Sequence, residues 1–165
     1  MMNLFMNGIN LKLKGSMKVF DEKYNQLFTC IGDHRTMVLS TAVGDIVNSK
    51  MMSVVQFDKK FYFQTDSKMD KYSQLKIQPN VSLCFDNVSI QGKCKEVGKP
   101  FENEKFCELY EKNFACAYQL YSHLENEVLF EITPTAIKVW GYENSNPYYE
   151  IYNVQNKTYI INEYK

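Results

Sequence analysis

Arginine is almost absent from this sequence: Arg35 is the only one, and every other basic side chain is a lysine. Any anion is therefore met by lysine point charges and backbone amides, not by bidentate guanidinium forks. An excess of charge is missing too, because 19 Lys and Arg balance 19 Asp and Glu. That balance argues against a nucleic-acid binder held by phosphate neutralisation and against a basic membrane-surface protein. No run approaches the roughly 20 apolar residues of a membrane-spanning helix. The 165 residues suit one domain with a sizeable core.

Ligand-bearing and nucleophilic motifs are equally scarce. Five cysteines (Cys30, Cys84, Cys94, Cys107, Cys116) form no CxxC pair, and only His34 and His123 could join them at a metal. The thiols read as reduced core residues of a cytoplasmic protein, with no metal site. No G-x-S-x-G elbow is present, the seven glycines are isolated, and no carboxylate pair stands out as an acid/base dyad. His34 and Arg35 take a structural place between a helix and a strand, and His123 a solvated one. Residues 1–16 lack a charged n-region, a sustained apolar segment and an A-x-A site. They read as a poorly ordered extension, with a single domain over 17–165 and Met17 as a natural start.

What is present is an ordered alternation of patterns. Phe20, Tyr24, Leu27, Phe28 and Ile31 form one stripe of an amphipathic helix. Residues 35–43, 46–57 and 61–65 then read as three strands, joined by turns at Gly44-Asp45 and Asp58-Lys59. Helical spacing returns over 67–77, where Ser67 and Asp70 fit a capping signature and Pro79 stops the helix. VSLCF alternates cleanly and turns at Asp86-Asn87 into VSIQGKCKEV, with Gly92 marking a bulge or close approach. A helix is expected over 101–120, then two strands paired around Thr133-Pro134, and TYIINEY as a last short strand. This order predicts a mainly β (α+β) fold: a closed antiparallel barrel or a sandwich of six to seven strands with flanking helices.

One segment carries local chemistry. FYFQTDSKMDKYSQL ends a strand at Thr65 and opens a helix bearing Lys68 and Lys71, to which Lys50 adds a third cation if the strands fold back as read. A hydroxyl, free amides and ammonium groups at a helix start suit a phosphate monoester. A plain solvated helix face is the alternative.

Over residues 17–141 the chain resembles the pyridoxamine 5′-phosphate oxidase-like FMN-binding split barrels, closest to the general stress protein and nitroimidazole reductase-like subgroup. The family's R-M-V-L-L-K strand matches Lys50-Met51-Met52-Ser53-Val54-Val55. Its F-Y-T-N matches Phe63-Gln64-Thr65-Asp66, its S-R-K-G-x-E-L matches Met69-Asp70-Lys71-Tyr72-Ser73-Gln74-Leu75, and its N-P matches Gln78-Pro79. The resemblance implies FMN as cofactor, with Lys50 and Lys71 at its phosphate and Thr65 hydrogen-bonding nearby. It puts the backbone of Met51, Met52 and Ser53 along the flavin ring, Gln64 facing the flavin, and Trp140 at the position of the family's C-terminal tryptophan. It further implies a homodimer with the flavin at the subunit interface, and NAD(P)H as a possible reductant.

Two departures qualify the activity. Lysine replaces the first-strand arginine, and Met69-Asp70-Lys71 replaces the S-R-K triplet. After Trp140 neither arginine nor histidine follows, whereas the oxidase carries an R-L-H-x-R segment that grips its substrate phosphate. The expected function is therefore a flavin-dependent reductase of small molecules, not a true pyridoxamine phosphate oxidase. The alternative is a non-enzymatic stress protein that binds flavin or another cofactor, with haem disfavoured by the shortage of histidines.

Overall fold

The computed structural model describes residues 11–13 and 17–163. The chain runs β1 (Leu11–Leu13), α1 (Met17–Ile31), β2 (His34–Val43), β3 (Ile46–Phe57), β4 (Lys60–Asp66), α2 (Asp70–Ile77), β5 (Asn80–Phe85) and β6 (Val88–Glu96). A 3₁₀ turn (Pro100–Glu102), α3 (Glu104–Asn113), α4 (Ala115–Tyr121), β7 (Glu127–Glu143), β8 (Asn146–Asn153) and β9 (Thr158–Glu163) complete it. Strand β1 falls within the segment read as an extension and pairs with β9; the rest of residues 1–16 lies outside the described residues.

All pairings are antiparallel, and six strands close a barrel in the order β7-β4-β3-β2-β5-β6 and back to β7. Strands β8, β9 and β1 extend the sheet beyond β7. The expected split barrel with flanking helices is what forms. The turns fall at Gly44, Asp58-Lys59 and Asp86, each with positive φ. Inside the barrel, Met52, Val54, Phe61, Phe63, Phe130 and Ile132 pack together, while α1 covers one end through Phe20, Tyr24, Phe28 and Ile31. Alternation sends the intervening residues outward. There Val55, Tyr62 and Leu129 meet Phe106, Leu109 and Tyr110 of α3 in a second apolar cluster.

Four local expectations are corrected. The strands expected to turn at Thr133-Pro134 are one 17-residue strand, β7. Its register against β6 shifts between Gln91 and Gly92, leaving Thr135 as the extra residue of a bulge next to Pro134, a place where a strand tolerates proline. Gly92 sits opposite: a Cβ there would lie 2.6 Å from Ile132 Cγ2 and 2.9 Å from the Thr133 carbonyl oxygen, so both readings of this glycine hold. Secondly, the helix expected over 101–120 is a 3₁₀ turn and two helices, broken at Phe114 (φ −135°, ψ 47°). That break lets the Phe114 ring contact both Tyr110 and His34.

Thirdly, α2 begins at Asp70 and Ser67 does not cap it; the Asp66 carboxylate instead accepts from the Lys68 amide in a turn before the helix. Lastly, β8 has no counterpart in the sequence reading, because its NPYYEIYN pattern lacks clear alternation. The thiols are also less buried than expected. Cys94 is buried, Cys107 partly so, and Cys30, Cys84 and Cys116 are exposed. No helix among the described residues is long and apolar enough to cross a membrane.

Candidate phosphate site at the barrel split

Strand β3 pairs with β2 over ten residue pairs but with β4 over only three, Val55–Tyr62 to Phe57–Lys60. Beyond Val55 the strands diverge: β4 continues against β7 through Asp66–Glu127, and the Ile46–Val54 run of β3 has no partner on its β4 side among the described residues. This is the split of the barrel. Its mouth is reached by α2, whose Leu75 packs into the core.

The predicted residues gather unevenly around it. Lys50 and Lys71 line one small pocket of about 50 Å³ together with Asp70, Asn48, Thr41 and Gln74. The Thr41 hydroxyl donates to Gln74 Oε1 at 2.6 Å, which locks α2 to β2 there. Met51 is exposed, Met52 points into the core, and Ser53 lies on the outer face towards Tyr110. Thr65 is buried, and its hydroxyl has no hydrogen-bond partner among the described residues. Gln64 is buried too, but its amide oxygen accepts from Ser122 Oγ at 2.7 Å, so it is engaged with the segment after α4. Lys68 stands exposed before the helix.

Trp140 is not brought to this site. It lies thirteen residues along β7 from Glu127 and does not line the pocket of Lys50 and Lys71. There it stacks on Tyr149 with centroids 5.9 Å apart, and its carbonyl accepts from the Asn87 side chain.

Two residues that sequence reasoning missed dominate the electrostatics. Glu127 faces Asp66 across β4 and β7 and is only 5% exposed. Burial pushes its carboxyl from 4.5 up to about 7; the Asp66 charge adds to the rise, and Lys71 and Lys99 pull against it. Lys71 is the counterpart. Burial holds its ammonium below the ordinary lysine value, Glu127 opposes that, and Lys50 reinforces it. These effects place Lys50, Lys71, Glu127 and Asp66 in one electrostatic group at the split. Nothing in the sequence pairs Asp66 with Glu127, since only the β4–β7 register does so.

Chemically, a lysine at the head of α2, a second on β3 beside it, a strand edge with unclaimed backbone groups and an orphaned buried hydroxyl fit a phosphate monoester carrying a flat ring system. No residue in the group is arranged as a nucleophile with its base. Larger hollows lie elsewhere, one of about 360 Å³ between α1 and the β5–β6 turn and one of about 580 Å³ beside Asp33–Thr36, and neither contains Lys50 or Lys71. At the first, Arg35 is tied to its neighbours: Nε donates to the Ile31 carbonyl at 3.0 Å, and the guanidinium lies 4.7 Å over the Phe85 ring. Its place is structural.

Comparison with known proteins adds the lineage. The model of the pyridoxamine 5′-phosphate oxidase family matches residues 20–141. The fold resembles General Stress Protein 26 from Bacillus anthracis str. Sterne, at 24% identity and TM-score 0.53, covering 70% of this chain and 89% of that one. It also resembles a pyridoxamine 5′-phosphate oxidase-related, FMN binding protein from Nostoc punctiforme PCC 73102. That pair shares 13% identity, with TM-score 0.54 and coverage of 92% and 96%. A third likeness is to HutZ, the heme storage protein from Vibrio cholerae, at 15% identity, TM-score 0.57 and coverage of 79% and 99%. No curated protein matches the sequence.

Proposed function

This chain belongs to the pyridoxamine 5′-phosphate oxidase family, and on that footing we propose that it binds FMN at the barrel split and acts as a flavin-dependent reductase of small molecules. The observation that carries the reading is the Lys50–Lys71 pocket beside the unpaired edge of β3. Lys50 and Lys71 would hold the phosphate, with the Thr65 hydroxyl as a nearby donor. The backbone of Met51, Met52 and Ser53 would lie along the ring. Bound flavin would supply the two-electron chemistry, with NAD(P)H as its reductant. The protein's own part is to position the ring against the strand edge and shield it from water, which needs no side-chain acid or base. The FMN-binding description of the Nostoc neighbour agrees with this assignment. Because Gln64 is bonded to Ser122, its contact with a flavin would require that bond to be shared or exchanged.

On the same reading Trp140 meets the flavin of a second copy, and the protein is a homodimer with a flavin between subunits. Large apolar side chains left exposed on β3 and around the split, among them Ile46, Val47, Met51, Met69 and Leu120, suit burial against that copy.

Reconstitution with FMN tests the assignment. A charge-assisted contact contributes about 1.5–3 kcal/mol, so Lys71→Ala should weaken FMN roughly ten- to a hundredfold, read by quenching of flavin fluorescence. Lys76, on the same helix, pairs with Glu96 at 3.2 Å and not with the site, so Lys76→Ala should leave the affinity near that of the parent. Equal affinity in both variants would make α2 a plain solvated helix and remove the site.

A further inference from the structure

The pocket between Lys50 and Lys71 is less basic than its two lysines suggest. Helix α2 lends it Asp70, Lys71 and Gln74, which share one helical face at i, i+1 and i+4. The Asp70 carboxylate offsets one of the two ammonium groups, so the residues lining the pocket carry a surplus of one positive charge. A phosphate monoester brings close to two negative charges at neutral pH. Neutral donors must therefore supply part of the contact with its oxygens. Two carboxamides line the pocket, Asn48 and Gln74, and Gln74 is the one anchored by a hydrogen bond.

That bond has a direction. Thr41 on β2 is only 4% exposed, and its hydroxyl donates to Gln74 Oε1 at 2.6 Å. A carboxamide oxygen only accepts and its nitrogen only donates, so holding the oxygen against β2 orients the whole amide. Both Nε2 protons are left without an acceptor among the described residues, and Nε2 is not one of the sealed, unsatisfied atoms. An unspent donor thus stands at the pocket beside Lys71.

We propose that Gln74 is a specificity-determining residue for phosphate: Nε2 donates to a phosphate oxygen held between Lys50 and Lys71. Thr41 is the positioning residue that presents the amide nitrogen, and not its oxygen, to that phosphate. The inference rests on the reading of the split as an FMN site. It assigns the Thr41–Gln74 bond a part beyond fastening α2 to the barrel, since a fastening alone is indifferent to which amide atom faces the ligand.

The test titrates FMN and riboflavin into the full chain, read by flavin fluorescence. Gln74→Met, similar in length but without the donor, should weaken FMN about tenfold. Thr41→Val keeps the shape and removes the hydroxyl, and should weaken FMN about threefold, with Thr41→Ser restoring the parent affinity. Because Thr41 acts through Gln74, the double variant Thr41→Val/Gln74→Met should bind FMN no worse than Gln74→Met alone. Gln74→Glu keeps the acceptor for Thr41, and with it the anchor of α2, yet should weaken FMN more than Gln74→Met does. Riboflavin lacks the phosphate and should bind the parent and every variant alike. Unchanged or tighter FMN binding by Gln74→Met overturns the inference, as does a loss that riboflavin shares. Additive losses in the double variant, or no rescue by Thr41→Ser, overturn the part given to Thr41. If Lys71→Ala weakens FMN and Gln74→Met does not, this inference falls and the flavin site stands. A parent that binds no FMN removes the flavin reading and this inference with it.

Discussion

Glu127 makes a prediction about stability that needs no ligand. Its folded carboxyl titrates at about 7 against 4.5 unfolded, so between those values the native state holds the extra proton. Stability therefore falls as pH rises through that window, because unfolding releases a proton there. The loss is on the order of 3 kcal/mol by linkage, and Glu127→Gln should abolish it. Denaturant unfolding of parent and variant at pH 4.5 and 8.0 checks this: their stability difference should be much larger at the higher pH. A constant difference would mean that the carboxylate is not destabilised by its surroundings. At the residue scale, then, lysines were legible as candidate phosphate ligands, since their type and order carry meaning in one dimension. The acid that opposes them was not, because 61 positions separate Asp66 from Glu127 and only a shared register brings them together.

Helix starts separate a sequence signature from a working contact. Ser67 and Asp70 have capping spacing, yet the chain around Ser67 is held by other bonds. The Ser67 amide donates to the Asn126 carbonyl at 2.8 Å, and Asp66 organises the turn. Asn103, by contrast, caps α3 through a 2.9 Å bond from the Phe106 amide to its side-chain oxygen. Asn103→Ala should cost about 1 kcal/mol in denaturant unfolding, and Ser67→Ala should stay within about 0.5 kcal/mol. Equal costs would show that the Ser67 spacing acts as a cap after all. The same lesson holds for β7. Thr133-Pro134 has turn composition, but Pro134 sits next to a bulge secured by a bond from Thr135 Oγ1 to the Gln91 carbonyl, and the strand continues.

Assembly and activity are properties of the whole molecule. If the exposed apolar residues near the split and a second copy's Trp140 build the cofactor site, light scattering at micromolar protein should give twice the chain mass of 19.4 kDa. A mass of one chain would leave Trp140 without a part in the site. With FMN and pyridoxamine 5′-phosphate supplied, pyridoxal phosphate formation should be negligible, because no arginine or histidine follows Trp140 to hold the substrate phosphate. Turnover on the order of 1 per second would refute that.

The sequence by itself determined an antiparallel, mainly β fold, because period-two runs punctuated by short turns leave antiparallel neighbours as the economical arrangement, and Gly92 marked a bulge or a close approach of two strands. It also determined which cations stand near the head of α2. That the sheet closes as a barrel and not a sandwich is seen in the β6–β7 pairing. Tertiary structure alone decided that β7 runs unbroken through its proline, that α3 and α4 part at Phe114 so one ring can serve two neighbours, and that Gln64 is engaged with Ser122. It alone set Glu127 against Lys71. Local pattern fixes periodicity within an element, whereas these outcomes depend on register between strands distant in the chain, where a shift of one residue would turn Glu127 to the other face.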